Sequence, residues 1–315
     1  MYETKEMRAV LADILEEKMR ADDRYIVLDA DLARANGTLS LRAKFPERAL
    51  NVGIAEANMT CIAAGLASYG FKPFIFSFCP FVTRRICDMA ALSIAYARQD
   101  VKIVGTDPGI SAELNGGTHM SAEDVGVLRS IPTMVIFEPV DADQLAKAMP
   151  QIMEHEGPVY IRLFRKVAPR TFFADADYKF DLFKADVLQE GTDVTLFASG
   201  IEVKEAIAAS ETLEKEGISA EVINVHTIKP VDTETIVRSV SKTGCAVSCE
   251  NHNVIGGLGS AIAECLTKEK PVPMEYIGIQ DHFSEVGRMP YLLEAFKMGE
   301  RDIVAAAKKV LQKKS

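Results

Sequence analysis

The stretch Asn51-Val52-Gly53-Ile54-Ala55-Glu56-Ala57-Asn58-Met59 carries a single carboxylate, Glu56, where a short apolar segment turns into a helix of small residues, Ala63, Ala64, Gly65 and Ala67. Apolar surroundings make a carboxyl hard to ionise, so Glu56 is expected to hold or hand over a proton near neutral pH. A glutamate that merely opens a helix, favoured there by the helix dipole, is the simpler reading of this residue taken alone. The rest of the chain decides between the two.

Outward from this stretch, short β-branched runs alternate with longer helical segments, the pattern of an α/β fold with mainly parallel strands. In the first half the periodicity predicts helices over 5–21, 55–68, 81–98, 121–129 and 141–155. Strands are expected over 25–28, 74–76, 101–104, 133–137 and 159–164. Periodicity then fails from Lys166 to Glu190, where Ala168-Pro169 and several aspartates occur. A second, smaller α/β unit follows, with strands over 194–198, 220–225, 245–249 and 274–277. The expected division is a first domain over 1–175, a linker over 176–190 and a second domain over 191–315.

At 315 residues the chain can build two cores of ordinary size, and its net charge of −9 disfavours nucleic acid and anionic membrane surfaces as partners. No apolar run approaches a membrane span and no leader opens the sequence, so the cytoplasm is the expected location. Six cysteines in a chain this long do not form a disulfide scaffold. Cys61, Cys79, Cys87 and Cys265 read as core thiols, and Cys245 and Cys249 as part of a buried strand.

Parallel strands joined by helices place ligands at their carboxyl ends, where two further segments fall. Thr106–His119 is a long glycine-rich loop after a buried strand. Its glycines allow close backbone approach to a ligand, and His119 can donate, accept or carry a proton near pH 7. Phe74, Phe76, Phe78 and Phe81 cluster around Ser77 and Pro80. Phe74 and Phe76 read as core, whereas Phe78 and Phe81, at the strand's end, can stack on a flat heterocycle. Gly256-Gly257-Leu258-Gly259-Ser260 lacks the spacing of a dinucleotide loop and reads as a tight turn into a helix.

Taken together, these residues resemble the carboxyl-terminal half of transketolases, in order and over essentially the whole chain. Val52-Gly53-Ile54-Ala55-Glu56 is similar to the motif whose glutamate contacts the pyrimidine of thiamine diphosphate. Ser77-Phe78-Cys79-Pro80-Phe81 is similar to the segment whose aromatics pack on that ring, and Gly116-Gly117-Thr118-His119 to the loop with the substrate-facing histidine. Ile228-Lys229-Pro230-Val231-Asp232, Glu250 and Ile255–Ser260 resemble the family's carboxyl-terminal domain. The resemblance implies a pyrimidine-binding domain followed by that smaller domain. It also implies transfer of a two-carbon ketol unit from a ketose to an aldose. Glu56 and His119 would be catalytic; Ile54, Glu56, Phe78 and Phe81 would bind cofactor; Arg34, Asp107, Asn115, His119 and Arg165 would face substrate.

The family holds its Mg²⁺-diphosphate through a Gly-Asp-Gly motif, which this sequence lacks. The resemblance therefore implies one subunit of a split transketolase with no metal ligand of its own, Mg²⁺ being held by a partner chain in an α2β2 heterotetramer. Asn115 replaces the family's aspartate, and Asp107 stands where a phosphate-binding histidine is usual. Arg165 falls at a phosphate-binding arginine of the family, and Arg34 offers another cation. An unusual sugar phosphate or another anionic sugar is thus a candidate substrate. The beta subunit of a 2-oxo-acid dehydrogenase and a non-catalytic assembly subunit are the alternatives. A deoxyxylulose-phosphate synthase is also similar, but carries its metal domain in the same polypeptide.

Overall fold

The computed structural model describes residue 2 and residues 4–314. Among the described residues, twelve strands form two sheets. The strands are β1 Tyr25–Asp29, β2 Ala49–Asn51, β3 Lys72–Phe78, β4 Lys102–Thr106, β5 Val135–Phe137, β6 Val159–Leu163, β7 Asp186–Gln189, β8 Val194–Ala198, β9 Ala220–Asn224, β10 Thr227–Lys229, β11 Ala246–Asn253 and β12 Met274–Ile279. The first sheet runs β10-β5-β6-β4-β3-β1-β2 and the second β12-β11-β8-β9-β7. All pairings are parallel except β10 with β5 and β7 with β9.

Every residue of β1, β4, β5, β6, β8 and β9 is buried, as parallel strands covered on both faces require. Alternation sorts their side chains between two layers. Phe74 and Phe76 join Met7, Leu11, Leu15 and Met149 on one face of the first sheet. Ile75 joins Met59, Ala63, Ile86 and Ile94 on the other.

The expected elements appear; β2 and the short helices Ala33–Asn36 and Leu39–Lys44 are additions to them, and three further segments differ. The segment 81–98 is broken into a 3-10 turn at Arg84–Ile86, a short helix at Cys87–Met89 and a π-helix at Ala90–Tyr96. Thr83 makes the break: its backbone is non-helical, and its buried hydroxyl donates to the Cys79 carbonyl at 2.6 Å. Within the segment read as a linker, Asp186–Gln189 pairs with β9 as an edge strand. β10, from the second half of the chain, closes the edge of the first sheet.

Cys61 lies on the exposed side of the helix Glu56–Ser68 rather than in the core, because Met59, Thr60, Ala63 and Ala64 supply the buried side. Cys87 is half-buried, and the other four cysteines are buried. Among the described residues, no helix is long and apolar enough to cross a membrane.

Candidate active site

The residues of interest gather at the carboxyl end of the first sheet. Phe78 is the last residue of β3, Asp107 follows β4, and Arg165 lies just beyond β6. Glu56 opens the helix Glu56–Ser68 and is 2% exposed. The expectation of an isolated carboxyl in apolar surroundings is corrected here. Arg85 Nη1 donates to Glu56 Oε1 at 2.7 Å. The same guanidinium lies 4.0 Å from the centre of the Phe81 ring. The break at Thr83 redirects the backbone just before this arginine, so a continuous helix from 81 does not anticipate the pairing.

From Phe81 the contacts continue unbroken. His119 meets Phe81 edge-on with ring centres 5.4 Å apart, and Phe78 at 5.8 Å. Phe78 and Phe81 are 6.2 Å apart. His119 Nδ1 is engaged by the Thr118 hydroxyl at 2.9 Å, which leaves Nε2 as the ring nitrogen for a ligand. The Arg165 guanidinium lies 5.4 Å from the Phe78 ring and 2.9 Å from Asp107.

Asp107 is 1% exposed, so it is not a surface anion facing the ligand; it lies behind Arg165. Burial pushes its carboxyl up to about 6, against the pull of Arg165, Lys166 and Arg8. Arg8 and Arg165 both donate to the Ala35 carbonyl, at 2.6 and 3.2 Å. Sequence reading finds no amino-terminal arginine for this site, yet the fold brings Arg8 to it. Glu6 and Arg8 open the first helix beside residue 165, where the Arg8 amide donates to the Arg165 carbonyl at 3.2 Å.

Three other expected residues stand apart. Ile54 is 77% exposed on the turn before Glu56. Arg34 is exposed on the short helix Ala33–Asn36, whose Asn36 accepts from Thr106 at 2.9 Å; the helix, rather than the arginine side chain, meets the site. Asn115 is exposed at the end of the Gly109–Asn115 turn.

The loop carrying His119 is held largely from the second domain, through a residue that sequence reading misses. Asn251, on β11 and fully buried, donates to the Pro108 carbonyl and accepts from the Ile110 amide, both at 2.9 Å. Gly109, with φ +50°, lies so close that a Cβ there would be 2.1 Å from Asn251 Oδ1. The Met289 amide donates to Glu113 at 3.0 Å on the same loop. The buried polar run Glu250-Asn251-His252 towards the end of β11 is the sequence signal for this clamp.

Glu250 has a different role. Its two oxygens accept from the Leu258 and Gly259 amides at 2.6 and 2.8 Å, capping the helix Leu258–Glu269. A Cβ at Gly257 would lie 2.0 Å from Glu250 Oε2, so the glycines clear the backbone's approach to the carboxylate. The reading of 256–260 as a tight turn into a helix holds. Among the described residues, no three His, Cys, Asp or Glu side chains are placed to hold a metal ion.

The descriptions "Transketolase, pyrimidine binding domain" and "Transketolase, C-terminal domain" match residues 3–170 and 183–303. A 6-deoxy-6-sulfo-D-fructose transketolase subunit of Clostridium sp. (strain MSTE9) is 52% identical, over 98% of this chain and 95% of its own length. An apulose-4-phosphate transketolase subunit of Phocaeicola vulgatus is 38% identical over 87% of each chain. A solved structure described as a split-gene transketolase, inactive beta4 tetramer, superposes with a TM-score of 0.88 at 39% identity, covering 98% of this chain and 99% of that one.

Proposed function

The chain belongs to the transketolase family, and from that premise we propose that it is the carboxyl-terminal subunit of a two-chain transketolase acting on an anionic ketose. The observation that carries the proposal is the unbroken contact series Glu56–Arg85–Phe81–His119–Phe78–Arg165 at the carboxyl end of a parallel sheet.

These residues fit the pyrimidine end of thiamine diphosphate. A flat, cationic group already rests between the Glu56 carboxylate and the Phe81 face, so the cradle has room for one. Ile54, bare beside Glu56, is an apolar surface that a bound cofactor or a partner chain would cover. When bound, thiamine diphosphate supplies the carbanion chemistry that breaks and forms the carbon–carbon bond. Glu56 would bond the pyrimidine ring nitrogen. Phe78 and Phe81, 6.2 Å apart, would pack against the ring. His119, its Nδ1 tied to Thr118, presents Nε2 to the donor's hydroxyls and to the charge that develops as the two-carbon unit leaves.

The acidic end of the sugar goes to Arg165, with Arg8 beside it; Arg34 and Asn115, both exposed and apart from these contacts, are assigned no more than the rim. The relative at 52% identity is named for a sulfonated ketose, and sulfonate is the anion assigned to this pair. Mg²⁺ and the diphosphate belong to an amino-terminal partner carrying Gly-Asp-Gly, in an α2β2 assembly in the cytoplasm. The domain division at 176–190 is proposed with it.

The test is reconstitution with that partner, thiamine diphosphate and Mg²⁺. Calorimetric titration should show tight cofactor binding only in the mixture. The mixture should then transfer a ketol unit from 6-deoxy-6-sulfofructose to an aldose phosphate, and more slowly from fructose 6-phosphate. Decarboxylation of pyruvate onto lipoamide would sink the reading in favour of a 2-oxo-acid dehydrogenase.

A further inference from the structure

Arg84 and Arg85 sit side by side on one 3-10 turn but have different fates. Arg84 points to the rim and pairs with Glu123 at 2.6 Å. Arg85 turns inward to the two groups proposed to receive the cofactor's pyrimidine, Glu56 and Phe81. A guanidinium is planar, cationic and rich in N–H donors. Its flat face lies on an aromatic ring, and one N–H points at a buried carboxylate, the pair of contacts a protonated aminopyrimidine would make. With the guanidinium centre 4.0 Å above Phe81, that ring face cannot accept a second planar group. The Glu56 oxygen bonded at 2.7 Å is already engaged by Arg85, so a ring N–H reaching it has to share or displace that guanidinium.

Resting on the cofactor reading above, we propose that Arg85 is a built-in competitor for the aminopyrimidine, latching Glu56 and Phe81 until the cofactor displaces it. The side chain is 45% exposed, so it can swing into solvent without opening the core. The latch has two effects. It satisfies the buried Glu56 carboxylate while the site is empty, which an unpaired charge at 2% exposure would otherwise make costly. It also raises the affinity that the diphosphate end must supply, so the cofactor enters only where a partner holds that end. Arg85 is thus a positioning residue that couples cofactor entry to assembly.

A latch closed for most of the time weakens apparent affinity by the fraction of time it is open. Arg85→Ala in the reconstituted two-chain enzyme should therefore tighten thiamine diphosphate binding by about 3- to 10-fold in calorimetric titration. Affinity for Mg²⁺-pyrophosphate, which has no pyrimidine, should stay unchanged; a merely structural role would not separate the two ligands. Arg85→Lys, which keeps the charge but loses the flat face, should fall between wild type and alanine. It also carries the test if the alanine variant does not fold.

Equal or weaker thiamine diphosphate binding by both variants, with the wild-type pair binding normally, would overturn the latch and leave the proposed function standing. A parallel gain for pyrophosphate would overturn it too. Failure of the wild-type pair to bind the cofactor would bring down the proposed function and the latch together.

Discussion

Glu56 and Glu250 are both buried carboxylates set against the first turn of a helix, Glu56 opening its own and Glu250 reaching another from β11, and they differ in what holds them. Each Glu250 oxygen accepts from a backbone amide, at 2.6 and 2.8 Å. Glu56 is met by one side chain, Arg85, that is itself half in solvent. Backbone amides cannot leave without unwinding the helix, so Glu250 is committed to structure. A side chain can leave, so Glu56 keeps the capacity to exchange its partner for a ligand. Burial alone does not mark an acid as catalytic; a replaceable partner does.

The largest effect should come from Glu56→Gln in the assembled enzyme. Turnover should fall by about 10²- to 10⁴-fold, while chromatography shows the assembly intact and the unfolding midpoint close to wild type. An unchanged rate would erase the contrast between the two carboxylates. Glu250→Ala should give the opposite profile, losing about 2 kcal/mol of stability through two orphaned amides in denaturant unfolding. Folded enzyme should keep most of its rate.

Glu250→Gln refines the point through pH. Burial pushes the Glu250 carboxyl up to about 7, with the Gly259 and Leu258 amides pulling it down. A carboxyl raised in the folded state contributes stability that is fully present below its unfolded value of 4.5 and is lost as pH rises through about 7. The stability of the glutamine variant relative to wild type should therefore improve between pH 5 and 8. The gain is a few kcal/mol at most, because each tenfold change in proton affinity is worth roughly 1.4 kcal/mol. His226, buried and held down to about 4, acts in the reverse direction: its contribution is lost as pH falls. The variant-minus-wild-type difference removes it.

Asn251→Ala tests whether the second domain serves the first. Freeing the Pro108–Ile110 turn should reduce kcat/KM by about tenfold through misplacement of His119, with little change in thiamine diphosphate affinity. The smallest expected effect is that of Asp107→Asn. Above about pH 6 the Asp107 carboxylate offsets Arg165. The variant should lower KM for an anionic donor roughly two- to fivefold at pH 7.5, with the effect shrinking as pH falls below about 6.

What could be read in the sequence follows from range. The alternation of Phe74, Ile75 and Phe76 is local and sets the strand and its two faces. The Gly116–His119 loop and Glu56 are legible because residue type and position after a strand carry them. Arg85 is hidden because Ala90–Tyr96 continues a helical pattern backwards, and only the Thr83–Cys79 bond breaks it. Arg8 and Asn251 act on residues 27 or more than 140 positions away, a distance at which periodicity is silent. The exposure of Ile54, Arg34 and Asn115 follows from tertiary packing, which residue type does not reveal.

β10 belongs by sequence to the second half and by hydrogen bonding to the first sheet, where Thr227 and Lys229 pair with Phe137 and Ile136. The halves are therefore sewn together like two boards sharing a tongue. A protease that nicks the irregular stretch 166–185 should yield two fragments in a denaturing gel and one particle in native chromatography. Dividing the chain for good between the halves would strip β5 of its neighbour and leave a raw sheet edge open to aggregation. A divided enzyme of this fold keeps its seam away from the place where a strand has crossed over.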